Sequence, residues 1–123
     1  MTLSSAVSFN KSTLKVDGLV DLGLYTPVKQ INQMGDHALV FMFQPFRGPW
    51  VRSIGAFLSK GAATAEILQK LVLEAILLLE KSGLYVHIVV TDGGSWNRGM
   101  WKLFGIDEDN VRCEHPIDQN RCL

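Results

Sequence analysis

The chain has no excess of charge of either sign. Its 12 Lys and Arg residues balance its 12 Asp and Glu residues, which gives a formal net charge of +0 at pH 7. Domains that bind nucleic acid on their own usually carry a basic surface that attracts phosphates. The composition therefore argues against a chain that binds DNA by itself through general electrostatic attraction.

Cysteines are scarce, and their spacing does not form a structural zinc motif. The chain contains 2 of them, Cys113 and Cys122, on either side of His115. The paired Cys-x₂-Cys pattern of structural zinc sites does not occur, and no fourth ligand is evident. We therefore expect free thiols in an intracellular protein rather than a zinc centre.

Long apolar runs are also missing. The most hydrophobic stretch, residues 71–79, is interrupted by Glu74 and is too short to span a bilayer. The sequence shows no N-terminal apolar segment of the signal-peptide kind. These features predict a soluble protein without a membrane partner.

The sequence contains no glycine-rich phosphate-binding loop of established spacing. Neither Gly-x-Gly-x-x-Gly nor the P-loop pattern occurs. The turn at residues 92–95, Asp-Gly-Gly-Ser, remains as a candidate phosphate turn. A small nucleotide-binding α/β domain is therefore the weakest of the alternatives.

Apolar residues are numerous enough for a modest core. A chain of 123 residues with 47% hydrophobic content predicts one domain, residues 1–123. Strand patterns come first, at residues 3–9, 14–22 and 37–43, with a further extended piece at residues 50–58. The first half of the chain is therefore expected to be mainly antiparallel sheet.

The second half alternates between helix and strand patterns. Thr64 is predicted to cap a helix that Gly83 closes. Its apolar positions at helical spacing are Leu68, Leu71, Val72, Ala75, Ile76 and Leu79. Residues 84–90 then predict an interior strand with both faces covered. Ser95 is predicted to cap a second helix that ends at Gly105 and turns Trp96, Met100, Leu103 and Phe104 to one side.

One carboxylate lies at the end of the predicted interior strand. Asp92 follows that strand, and Gly93 and Gly94 let the chain reverse tightly before the second helix. In open α/β sheets, ligands bind beyond the carboxyl ends of the strands. Asp92 is therefore a candidate active-site acid, and the alternative from residue type alone is that it caps the helix or satisfies the turn.

The segment around Asp92 resembles part of a known family. Residues 92–106, Asp-Gly-Gly-Ser-Trp-Asn-Arg-Gly-Met-Trp-Lys-Leu-Phe-Gly-Ile, resemble the Asp-Gly-x-x-x-Asn-Arg-x-Met-Trp-x-x-x-Gly-Ile segment of P-element-type transposases. Residues 17–23 and 35–45 resemble the second and third strands of that family's ribonuclease-H-like domain. Residues 58–62 and 115–118 also fit, in the same order. The resemblance covers nearly the whole chain.

This resemblance implies an α/β fold, namely a partial ribonuclease-H-like domain. The expected elements are an antiparallel three-strand meander, a helix, a parallel fourth strand and a second helix. In the family, acidic side chains hold two Mg²⁺ or Mn²⁺ ions that promote DNA cleavage and strand transfer. Asp92 matches the second acid, whereas the first and third would lie outside this chain. We therefore expect a truncated catalytic domain that is inactive alone and binds these ions only weakly.

Three further residues are candidates for contact with nucleic acid. Asn97 and Arg98 lie in the first turn of the second helix, where anions are favoured, and Lys60 precedes a glycine after a predicted strand. The resemblance implies DNA as the partner of the full-length protein and a nuclear location. The alternative function is a domesticated remnant that acts as an interaction module, by self-association or with a transposase.

Overall fold

A computed structural model describes Thr2, residues 8–10 and residues 15–123. The chain divides into two compact units, Met1–Ala62 and Ala63–Leu123. Sheet dominates the described part of the first unit, and both described α-helices belong to the second.

The first unit begins with a short hairpin. Strand β1, Ser8–Asn10, pairs antiparallel with β2, Lys15–Asp17. Residues 3–7 of the predicted first strand lie outside the described residues. The predicted second strand is shorter than expected, because the chain leaves the β1–β2 ladder at Asp17. Beyond it, Asp21 and Leu58 exchange two backbone hydrogen bonds of 2.8 and 2.9 Å.

A longer hairpin follows and confirms two predicted strands. Strand β3, His37–Phe43, pairs antiparallel with β4, Arg52–Ser59, with a register shift between Phe41 and Met42. Phe41 and Phe57 pack edge to face, with ring centroids 5.6 Å apart. Alternating apolar residues on these strands supply such cross-strand contacts, which stabilise a hairpin.

The first helix of the second unit agrees with the prediction. Helix α1 spans Ala65–Lys81, and the Thr64 hydroxyl accepts a hydrogen bond of 3.4 Å from the Ile67 N–H. Its buried residues are Leu68, Leu71, Val72 and Ile76. Gly83 ends it with a φ of 77°, a conformation that favours glycine.

The segment after α1 differs from the prediction. Residues 84–90 form no strand ladder within the described part of the chain. Tyr85, Ile88 and Val90 are 63%, 61% and 86% exposed, so the expected cover on both faces is not seen there. An apolar run permits a strand, but ladder hydrogen bonds require a neighbouring strand, which the described residues do not supply.

The second helix begins one residue earlier than predicted. Helix α2 spans Ser95–Leu103, and Gly94, not Ser95, is its N-cap residue. Its buried residues are Asn97 and Met100, whereas Trp96 and Leu103 are 39% and 46% exposed. The predicted apolar face is therefore rotated. The sequence pattern missed this because a polar residue, Asn97, occupies the buried side.

The order of elements is that of a mixed α/β protein, in agreement with the predicted fold class. In the described part of the chain, two antiparallel hairpins precede two helices. Residues 107–123 are irregular apart from an isolated β-bridge between Glu114 and Cys122. Among the described residues, no helix is long and apolar enough to cross a membrane.

Candidate functional site

Asp92 lies at the corner between an extended segment and a helix. Residues 84–92 run without regular structure, and Gly93 turns the chain with a φ of 75°. Helix α2 begins two residues later, at Ser95. Because a positive φ is costly for residues with a Cβ atom, glycine at 93 allows this tight corner. The corner places an exposed carboxylate directly before a helix N-terminus.

One oxygen of the Asp92 carboxylate is held by the helix that follows. Oδ1 accepts a hydrogen bond of 3.1 Å from the Gly94 N–H and one of 2.5 Å from the Asn97 Nδ2 amide. Within the described part of the chain, Oδ2 makes no hydrogen bond of this kind. The carboxylate is therefore oriented through one oxygen and presents the other to solvent.

A second contact from α2 holds the residue before Asp92. Trp101 Nε1 donates a hydrogen bond of 3.3 Å to the Thr91 hydroxyl oxygen. Residues 97 and 101 are four positions apart and therefore lie on the same side of the helix. Helix α2 thus fixes two consecutive residues of the corner.

A cavity of about 810 Å³ adjoins the corner. Apolar side chains from α1, α2 and the extended segment line most of it, including Ile76, Trp101 and Phe104. Thr91 and Gly93 form the part nearest Asp92, and Arg112 contributes a cationic group. Both cysteines also line this space and are free thiols, as the sequence predicts. Burial raises the pKa of the Cys113 thiol, and the neighbouring Cys122 raises it further.

The three predicted nucleic-acid contacts have different surroundings. Arg98 is exposed in the first turn of α2. Asn97 is 6% exposed and donates to Asp92. Lys60 lies in the other unit, where its Nζ is 3.2 Å from Asp36 Oδ2. Contact of these residues with nucleic acid stays a prediction, and Arg98 has the surroundings that suit it best.

Two other aspartates, Asp36 and Asp21, form hydrogen bonds with residues of the first unit. Asp36 Oδ1 accepts from His37 Nδ1 at 2.7 Å and from the Gly61 N–H at 2.6 Å. These contacts, with Lys60, hold the pKa of the Asp36 carboxyl well below its usual range. Asp21 Oδ1 accepts from the Gly23 N–H at 2.9 Å, which is a local turn contact typical of aspartate.

Another carboxylate, Glu80, forms a buried cluster that the sequence pattern did not reveal. Glu80 Oε2 accepts from Arg121 Nη2 at 2.7 Å, and Oε1 lies 3.1 Å from His115 Nε2. The Val86 N–H also donates to Oε1, at 2.8 Å. The Arg121 guanidinium is the main cause that lowers the pKa of Glu80 from 4.5 to about 2. We call Glu80, Val86, His115 and Arg121 the Glu80 cluster.

The Glu80 cluster also explains the histidine between the two cysteines. The His115 side chain is 0% exposed, and its Nδ1 accepts from the Ile117 and Asp118 N–H groups at 3.2 and 3.3 Å. Nε2 therefore carries the proton that is donated to Glu80. Both ring nitrogens of His115 therefore have partners within the protein, and the absence of a zinc centre from this region stays a prediction.

The described residues hold no group of three or more His, Cys, Asp or Glu side chains placed to bind one metal ion. Mg²⁺ and Mn²⁺ prefer oxygen ligands. Asp92 is exposed and has one carboxylate oxygen without a hydrogen-bond donor among the described residues, so it could supply such a ligand. The fit is that of one ligand in a larger set.

Comparison with known protein families finds a match. The family described as TNP-like, RNase H N-terminal domain matches residues 1–105, which include Asp92 and the whole of α2. Comparisons with curated proteins and with solved structures returned no match. The two hairpins, the two helices and this match together identify a partial ribonuclease-H-like fold. The chain belongs to the TNP-like, RNase H N-terminal domain family, and is therefore a transposase-like ribonuclease-H-like domain.

Proposed function

We propose that this chain is the N-terminal part of the catalytic domain of a P-element-type transposase, and that Asp92 is one of its metal ligands. The observation that carries this proposal is the half-held carboxylate: Oδ1 is fixed by α2 and Oδ2 is open. The remaining ligands come from outside the group of residues that surrounds Asp92. DNA is the proposed substrate.

The role of Asp92 follows from ordinary carboxylate chemistry. A divalent ion bound there would activate the attacking oxygen and stabilise the leaving oxygen of a phosphodiester. The Asp92 carboxylate would hold that ion at the corner before α2. The exposed Arg98 and the N-terminus of α2 favour a nearby phosphate, since free N–H groups and a cation attract anions.

The motif resemblance points to P-element-type transposases, which are a narrower group than the matched family. The Asp-Gly-x-x-x-Asn-Arg-x-Met-Trp pattern runs through residues 92–101, and three of its members have defined structural positions. Asp92 is the exposed carboxylate, Asn97 donates to it, and Trp101 donates to Thr91. The motif therefore coincides with the contacts that build the corner.

Paramagnetic broadening by Mn²⁺ tests the metal role in the chain as it exists. We expect NMR signals of residues 91–97 to broaden first as Mn²⁺ is added, with weak affinity, because a single carboxylate supplies few ligands. Asp92→Asn should remove that local broadening. The matched control is Asp109→Asn, which changes another exposed aspartate of the same unit and should leave it unchanged. Broadening that persists at residues 91–97 in Asp92→Asn would refute the proposed ligand.

A further inference from the structure

Asn97 is a polar residue on the buried side of α2. It is 6% exposed, and Met100, one turn further along, is 0% exposed. Burying a side-chain amide without a partner is costly, so a buried amide is expected to be paired. Its partner here is the Asp92 carboxylate. The position of Asn97 in the core of this unit thus depends on Asp92.

The dependence is mutual, because Asn97 decides which oxygen of Asp92 is open. Its Nδ2 group and the Gly94 N–H both donate to Oδ1, at 2.5 and 3.1 Å. An oxygen with two donors has little capacity left for a metal ion. Oδ2, which has no such donor among the described residues, is the oxygen available to a ligand.

The backbone leaves little freedom to this arrangement. A Cβ atom on Gly94 would lie 3.0 Å from the Trp96 ring and 3.4 Å from Asp92 Oδ1. The Trp101 contact to Thr91 fixes the preceding residue from the next turn of α2. The corner is therefore packed closely around Oδ1.

We propose that Asn97 is a positioning residue, which holds Asp92 Oδ1 so that Oδ2 faces the metal ion. This inference rests on the proposed function for the metal itself, but the Asn97–Asp92 contact can be tested without it. It also assigns Asn97 a role different from direct contact with DNA, because its amide points to the carboxylate.

Hydrogen exchange of the Asn97 side-chain NH₂ group tests the contact in the folded wild-type chain. We expect this group to exchange more slowly than that of Asn32, which is exposed. Asp92→Ala removes the acceptor and should abolish the protection, whereas Asp109→Ala should preserve it. An unprotected Asn97 amide, or protection that survives Asp92→Ala, would overturn the inference whatever the chain does with metals.

Mn²⁺ titration then tests positioning, with two substitutions that should act in opposite directions. Asn97→Ala should weaken Mn²⁺ binding at Asp92 by roughly 10-fold, the usual scale for removing a group that orients a metal ligand. Asn97→Asp should strengthen it, because a second carboxylate would adjoin the first. Lys102→Ala, at an exposed position in the last turn of α2, is the matched control for both.

A merely structural Asn97 would give a different pattern. Both substitutions would then loosen the corner and weaken Mn²⁺ binding together, and that result would overturn positioning. Circular dichroism should first show that each variant keeps its helices. If the wild-type chain shows no Mn²⁺ effect at Asp92 but the amide is protected as expected, the proposed metal ligand fails and the Asn97–Asp92 contact stands.

Discussion

Glu80 and Asp92 are carboxylates of the same unit with opposite surroundings. Both oxygens of Glu80 accept hydrogen bonds, from Arg121, His115 and the Val86 N–H, and its side chain is 8% exposed. Asp92 is exposed and is held through one oxygen. A carboxylate whose hydrogen-bonding capacity is filled stabilises a fold, whereas one with an open oxygen has capacity for a ligand.

The difference also depends on where the partners come from in the sequence. His115 and Arg121 lie 35 and 41 positions from Glu80, so the Glu80 cluster attaches the C-terminal segment to α1. The partners of Asp92 lie two and five positions away. One carboxylate therefore organises tertiary structure, and the other completes a local corner. The comparison can be tested by perturbing each of them.

The largest expected effect is loss of stability when the Glu80 cluster loses a member. His115→Ala removes a fully buried donor to Glu80 and the acceptor for two backbone N–H groups. Leaving buried polar groups unpaired costs about 1–3 kcal/mol, so we expect a lower free energy of unfolding. Urea unfolding followed by circular dichroism measures it, with His87→Ala as the exposed control. An unchanged midpoint would mean that the cluster is not structural.

Acid should weaken the same cluster next. The pKa of Glu80 is about 2 when folded and 4.5 as its ordinary value. A lowered folded pKa means that this stabilisation is present above pH 4.5 and is lost as the pH falls towards 2. We expect the protection factors of amides in α1 and residues 113–123, which are corrected for the intrinsic exchange rate, to fall over that range. Glu80→Gln should flatten this pH dependence, and an unchanged acid response in Glu80→Gln would contradict the assignment.

Local signals were sufficient to predict some of these elements. The Thr64 cap, the glycines at the helix ends and the apolar run of β3 each depend on residues close in sequence, and the structure confirms them. The strand predicted at residues 84–90 depends on a partner strand, and the described residues do not provide one. Apolar composition alone could not distinguish these two cases.

The candidate site likewise contains one residue that the local sequence identifies and others that depend on contacts seen only in the structure. Asp92 was identifiable because it ends an apolar run before two glycines. The sequence predicts a DNA contact for Asn97 because this residue lies in the first turn of a helix, where anions are favoured. Its burial requires the acceptor at Asp92, and only the geometry of the corner reveals that pairing. The sequence contained one signal for the Glu80 cluster, namely a glutamate at the end of a strongly apolar helix. Its partners could not be predicted because they are distant in sequence.

Asp92→Asn should change stability much less than His115→Ala. The amide oxygen can still accept from Gly94 and Asn97, and the open atom is exposed, so little buried contact is lost. Substitutions at such positions usually change the free energy of unfolding by about 0.5 kcal/mol or less. The same urea assay measures this difference. A loss as large as that of His115→Ala would mean that Asp92 is a structural carboxylate like Glu80.

The smallest expected effect concerns two cations that are predicted to contact nucleic acid, Arg98 and Lys60. Arg98 is exposed in the first turn of α2, whereas Lys60 is paired with Asp36. If the corner before α2 meets a DNA backbone, Arg98→Ala should weaken binding of DNA by the chain and reduce its salt dependence by about one phosphate contact. Lys60→Ala should have less effect.

Lys102→Ala, at the opposite end of α2, is the matched control, because it removes an exposed cation from the same helix. Fluorescence anisotropy with labelled duplex DNA at several salt concentrations measures all three. Equal losses for Arg98→Ala and Lys102→Ala would indicate general electrostatic attraction and no phosphate contact specific to the Asp92 corner.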